Sequence, residues 1–157
     1  MGTRSLTTVI QTGKWDGKNY KTKLMTMYRQ MDGYPSGMGL DLAKFLNGGK
    51  VVNGISLMHP DKSTIFNGAG CLAAQLVAHF KEGPGGYYLH KPGQTNCGEE
   101  YRYEVIVDDD LNQPILLKVI EVGYMSSKGN YVNKAKTRYF GPVRDFEVWL
   151  KKYEQEV

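Results

Sequence analysis

The sequence predicts an α+β protein in which an antiparallel sheet, made of two hairpins and some short strands, is packed by about three helices. Three observations carry that expectation. Residues 99–107 alternate cleanly, with Tyr101, Tyr103, Val105 and Val107 facing one way and Glu100, Arg102 and Glu104 the other. Leu72, Leu76 and Phe80 repeat every four residues beside Ala73 and Val77, the pattern of a buried helix face. No run of strand–helix–strand units supports a doubly wound parallel sheet. At 157 residues the chain is expected to form a single domain, residues 1–157, able to bury a core without disulfides or metal.

Each element follows from local chemistry. Residues 4–11 alternate weakly, with Leu6, Thr8 and Ile10 on one face, and read as a first strand. A Gly/Asp/Asn/Lys turn region over Thr12–Asn19 leads to a second strand over 20–30, closing an N-terminal hairpin. Helix one is expected from near Gly37 to Leu46, with Met38, Leu42, Phe45 and Leu46 inward and Asn47-Gly48-Gly49 as its stop. Residues 50–68 are poorly periodic, apart from a short Thr64-Ile65-Phe66 run. Helix two runs from about Gly70 to Lys81 and is ended by Gly83-Pro84-Gly85-Gly86. A short strand at Tyr87–His90 precedes the second hairpin, 99–107 and 114–123, which turns at Asp108–Asn112. Ser126–Asn133 is polar, and Lys136–Phe140 reads as a last strand. Gly141-Pro142 is expected to open helix three, with Val143, Phe146, Leu150 and Tyr153 on its buried face.

Composition narrows the function classes. With 41% hydrophobic and 23% charged residues the chain is expected to be globular rather than disordered. A net charge of +4 is too mild, and too evenly spread, for a protein that grips a nucleic-acid duplex, but it suits a small anion. Two cysteines, Cys71 and Cys97, make neither a disulfide framework nor a Cys-x-x-Cys site and fit a reduced compartment. No signal-peptide pattern, myristoylation pattern or membrane-length apolar run is found, so a soluble, intracellular protein without membrane contact is expected.

The segment Arg29-Gln30-Met31-Asp32-Gly33-Tyr34-Pro35-Ser36-Gly37-Met38-Gly39 lies between a strand and a helix, where an open-sheet ligand site falls. Its glycines permit close backbone approach and the helix behind it offers free N–H groups. Gly68-Ala69-Gly70 begins the second helix, but the acidic residue a dinucleotide fold needs about 20 positions on is missing. A helix start able to hold an anion remains. Cys71, Gln75 and His79 follow at intervals of four along one helix edge. Cys71 in the first turn is the nucleophile of an alternative hydrolase or transferase reading, although His79 lies two turns away. The Asp108-Asp109-Asp110 run lacks the glycine and the closing glutamate of a calcium loop. His59, His79 and His90 have no zinc-type spacing with the cysteines, so neither metal nor cofactor is assigned.

Arginines and tyrosines suit phosphate and base recognition, and Arg4, Arg29, Lys136 and Arg138 lie close to predicted strands beside Tyr28, Tyr34, Tyr87, Tyr88 and Tyr139. Equally, the arginines can pair with carboxylates and the tyrosines pack on the sheet. The expected ligand contacts are Arg4, Arg29, Asp32, Tyr34 and Ser36 on one wall and Asn67, Gly68, Gln75 and His79 on a second.

The opening Met-Gly-Thr-Arg-Ser-Leu-Thr and the segment Tyr28-Arg29-Gln30-x-Asp32-Gly33-Tyr34-Pro35-Ser36-Gly37-x-Gly39 resemble a family of small tailed-phage proteins. The resemblance continues through Val52–Ile55, Asn67–Lys81 and Gly85–Leu89, covering roughly residues 1–105. It brings no activity and no catalytic residues. It implies a phage origin and the host cytoplasm, and nothing more. By analogy of genome context and ligand type, not of sequence, an oligomeric accessory protein that sequesters a small anionic, nucleotide-like ligand to counter host defence signalling is expected. A host-protein interaction module is the other non-enzymatic reading. The Met-x-Thr-Arg start is also similar to N-terminal-nucleophile hydrolases, but those need Cys, Ser or Thr where this chain has Gly2.

Overall fold

The computed structural model describes residues 2–55, 65–123, 126–129 and 134–156. His59 and Thr64 lie outside the described residues, as do residues 130–133 of the polar segment expected at Ser126–Asn133. The architecture is α+β, as the sequence predicts. Strands β1 (Ser5–Trp15) and β2 (Lys18–Arg29) form the first hairpin. Its turn is only Asp16-Gly17, both at positive φ (51° and 75°), the two-residue geometry that matches strand twist. The turn region expected over Thr12–Asn19 is therefore too wide: Thr12–Trp15 and Lys18–Asn19 belong to the ladder.

A single π-helical turn, Pro35–Gly39, feeds α1 (Leu40–Asn47). Short strands β3 (Lys50–Val52) and β4 (Ile65–Asn67) pair in parallel and lead into α2 (Gly68–Phe80). Then come β5 (Tyr87–His90), β6 (Tyr101–Asp108), β7 (Leu116–Glu121) and β8 (Lys136–Pro142). Helix α3 (Phe146–Glu156) follows a 3₁₀ turn at Val143–Asp145. Gly141-Pro142 does not open this helix as expected. Pro142 instead closes β8 opposite Leu116, where its missing N–H costs no ladder bond inside the sheet.

The main sheet has the order β5-β2-β1-β6-β7-β8. Each hairpin is antiparallel, and the two are joined side by side through a parallel pairing of β1 with β6, Ser5 opposite Tyr101 through Thr12 opposite Asp108. All three helices cover one face. Val9, Met27, Tyr103, Val105, Val107, Leu117 and Val119 from the sheet meet Leu42 and Leu46 of α1, Leu72 and Leu76 of α2, and Phe146 and Leu150 of α3. Leu6 and Ile10 point to the other face and are buried there as well. Residues 91–99 cross that face, where Gly93 N donates to Thr26 Oγ1, and the Thr26 and Thr8 hydroxyls share a 2.8 Å hydrogen bond.

Edge strand β5 is blunted against further pairing. Lys81 Nζ donates to Gly85 O at 2.9 Å and to Tyr87 O at 2.8 Å, so a side-chain ammonium occupies carbonyls that a neighbouring strand would seek.

The core carries a pH signature. Burial holds the Tyr103 phenol, whose hydroxyl donates to Gly33 O at 2.6 Å, well above its ordinary range, and burial pushes half-buried Tyr101 up to about 12. The fold favours both neutral phenols, so their contribution is complete below pH 10.0; that of Tyr101 is lost as pH rises from there through about 12, and that of Tyr103 well above its ordinary range. Tyrosinate absorbance from these two rings is expected to appear together with loss of the far-ultraviolet circular dichroism signal. A full tyrosinate yield from a still-folded protein would contradict this.

Candidate functional site

The largest concavity near the predicted residues lies where α1, the end of α2 and the start of β5 meet. Asp41, Lys44 and Phe45 reach it from α1, their spacing of three and four placing them on one face. His79, Phe80 and Glu82 come from the end of α2, and Tyr87 from β5. The cleft has a volume of ≈ 460 Å³, within the range of small-molecule sites. Its wall is aromatic. Phe45 lies 4.7 Å from the His79 ring at an interplanar angle of 30°, and Phe80 lies 5.6 Å from Tyr87.

Arg29 stands behind this wall. Its Nη1 donates to Asp41 Oδ2 at 2.8 Å and to Met38 Sδ at 3.1 Å, its Nε donates to Met31 O at 2.6 Å, and its guanidinium lies 5.7 Å from the Tyr87 ring centroid. The side chain is only 12% exposed, so Arg29 brackets β2, α1 and β5 together more than it faces solvent. Burial raises the Tyr87 phenol above its ordinary value, and the Arg29 charge works the other way. Lys44 and His79 are the exposed donors of the cleft, and Glu82 is a carboxylate on its rim.

The rest of the first predicted wall is a built turn. Asp32 sits at φ 56° and its carbonyl accepts from Met38 N, while its carboxylate accepts from Tyr34 Oη at 3.1 Å. That hydrogen bond raises the Tyr34 phenol above its usual range. Ser36 is exposed on the π turn. The motif's glycines have steric reasons. A Cβ on Gly33 would lie 2.8 Å from Ser5 Cβ, one on Gly39 would lie 2.8 Å from Phe146 Cζ, and one on Gly37 would overlap Asp32 O. Arg4 faces Glu100 at 3.9 Å, away from the helices, and Arg138 is paired with Glu121 near the far edge of the sheet.

The structure does not bring the two predicted walls together. Asn67 and Gly68 begin α2, and its 13 residues separate them from Phe80 by about 18 Å along the axis. They line a different cavity of ≈ 230 Å³, shared with Gln11, Asn53, Asp108 and Asp109. The two carboxylates there oppose the anion expected at this helix start. Asn67 Oδ1 accepts from Gly54 N, and Gly68 has φ 82°, which explains the glycine without a ligand. Of the second wall only His79 joins the cleft. Gln75 accepts from Cys71 Sγ at 3.0 Å, an amide partner that can serve neither as a base nor as a charge. Among the described residues no three His, Cys, Asp or Glu side chains converge on a metal position.

Fold and site together define an α+β protein with an open, aromatic-walled cleft at one end of a six-stranded sheet. Compared with family models, curated proteins and solved structures, the chain gives no match to any of the three. No helix of the described residues is long and apolar enough to cross a membrane.

Proposed function

We propose that this chain is a non-catalytic binder of a small anionic, nucleotide-like ligand, held in the cleft between α1, α2 and β5. The observation that carries the reading is the pairing of flat aromatic surface with exposed donors: Phe45 and Tyr87 beside Lys44 and His79. Arg29 neutralises Asp41, which leaves Lys44 and His79 against Glu82 for an anionic group. Resemblance to small tailed-phage proteins fits a role in withdrawing such a ligand from the host's defence signalling, in the host cytoplasm. The thiol reading is weaker, since Cys71 bonds an amide and no base.

Thermal melting across a nucleotide panel tests the proposal. A ligand at a hundredfold excess over Kd stabilises by about 2.7 kcal/mol, enough to raise Tm by several degrees. The double variant Lys44→Ala, His79→Ala is expected to stay folded, with a ligand-free Tm lowered at most by loss of the His79 ring contact with Phe45, and to lose the ligand-induced shift. No shift with any nucleotide at millimolar concentration, or a shift that survives the double variant, would overturn it.

A further inference from the structure

Strand β5 has two sides. Tyr87 turns toward the cleft, while Tyr88 and His90 turn to the face of the sheet that carries no helix. There Tyr88 stands directly opposite Tyr28 of β2, with ring centroids 6.1 Å apart, and His90 lies diagonally at 5.6 Å from Tyr28. Tyr88 is 51% exposed. Three conjugated rings thus lie in one row across two strands, inclined to one another by 54° and 71°, on the face that residues 91–99 also cross.

Cations bracket the row. Lys81 Nζ lies 5.4 Å from the Tyr88 centroid. On the other side Arg4 acts electrostatically on the Tyr28 phenol. Its Nε is buried and has no hydrogen-bond partner among the described residues, and its 3.9 Å approach to Glu100 is too long for a hydrogen bond. The other nearby carboxylate, Glu99, is fully buried and bound to Arg102, and its charge acts on the Tyr28 phenol more weakly than that of Arg4.

We propose that Tyr88, Tyr28 and His90 form a stacking platform for single-stranded nucleic acid, with Lys81 and Arg4 beside its phosphates. Aromatic faces accept any base, and cations at the ends of the row complement a backbone running across it. A duplex cannot use the site, because its bases are stacked on each other and this sheet face inserts nothing into a groove. The platform is on the opposite side of β5 from the cleft and does not depend on what the cleft holds.

Fluorescence anisotropy with a labelled oligothymidylate tests this, with a duplex of the same length as comparison. The single strand is expected to bind at low salt and to weaken as salt rises. Removing one ring in Tyr88→Ala should weaken binding at least about fivefold, while Tyr88→Trp keeps it, since stacking and not the hydroxyl is used. Both changes sit at an exposed position and should leave Tm in place, and Lys44→Ala, His79→Ala should leave the affinity unchanged. Absence of binding at low salt, equal affinity for the duplex, or an unaltered Kd in Tyr88→Ala would overturn the proposal. So would sedimentation showing self-association that Tyr88→Ala abolishes, which assigns the row to a second copy of the chain instead.

Discussion

Gly37→Ala is expected to destabilise the protein by about 3 kcal/mol, the upper end of what an overpacked interior costs. The methyl group would overlap the carbonyl oxygen of Asp32, and that oxygen cannot step aside. It accepts from Met38 N at 2.9 Å, Gly37 N itself donates to Tyr34 O at 2.9 Å, and Asp32 is already held at φ 56°. The π turn and the Asp32 turn must therefore both shift. Gly70→Ala is the matched control, because nothing lies within 4 Å of its added Cβ and the residue is helical. There alanine should stabilise by about 0.4–1 kcal/mol. Urea midpoints measured on both variants check the pair, and two similar midpoints would show that Gly37 is no steric requirement.

That contrast bears on what could be read from the residues alone. The Asp32–Gly39 motif draws attention to a ligand site, yet Gly37 answers to Asp32 within the turn itself, and Gly33 and Gly39 answer to Ser5 and Phe146, neighbours that only folding supplies. What was legible is local. The alternation of Tyr101–Val107 and the four-residue repeat of Leu72, Leu76 and Phe80 encode their own burial, and both elements form as predicted. The parallel meeting of β1 with β6 left no local trace, since it depends on the chain crossing over the sheet by way of α1 and α2. The same crossing explains the site. Arg29 and His79 are legible as candidate contacts, Arg29 equally as the partner of a carboxylate, but Asp41, Lys44, Phe45, Glu82 and Tyr87 become neighbours only when α1 meets the end of α2. One further signal is local: Asp41, Lys44 and Phe45 share a helix face by spacing alone. Gly68 is legible at a helix start, as the structure has it, but the arrival of Asp108 and Asp109 beside it and Asn67 is a tertiary event.

Glu99→Ala is expected to be the most costly change on the face without helices, about 3–5 kcal/mol. The Glu99 carboxylate is fully buried and surrounded by donors: Cys97 N at 2.7 Å on Oε1, with Arg102 Nε at 2.6 Å and Asn96 N at 3.2 Å on Oε2. Alanine leaves two backbone N–H groups and a guanidinium without their acceptor, and it releases Asn96 from φ 62°. Gln is no rescue. Its NH₂ would face a donor whichever way the amide is turned, so Glu99→Gln should still lose a large part of the same stability. An acceptor-only side chain is what this pocket requires. The consequence reaches beyond the loop, because the adjoining Glu100 N donates to Arg4 O and Glu100 O accepts from Val122 N, tying the start of β1 to β6 and to the end of β7. Chemical denaturation gives the loss for both variants. Amide exchange should localise it to residues 96–100 and 4–5 before any change in α2, whereas a Gln variant as stable as the parent would show that the carboxylate charge is not what holds the loop.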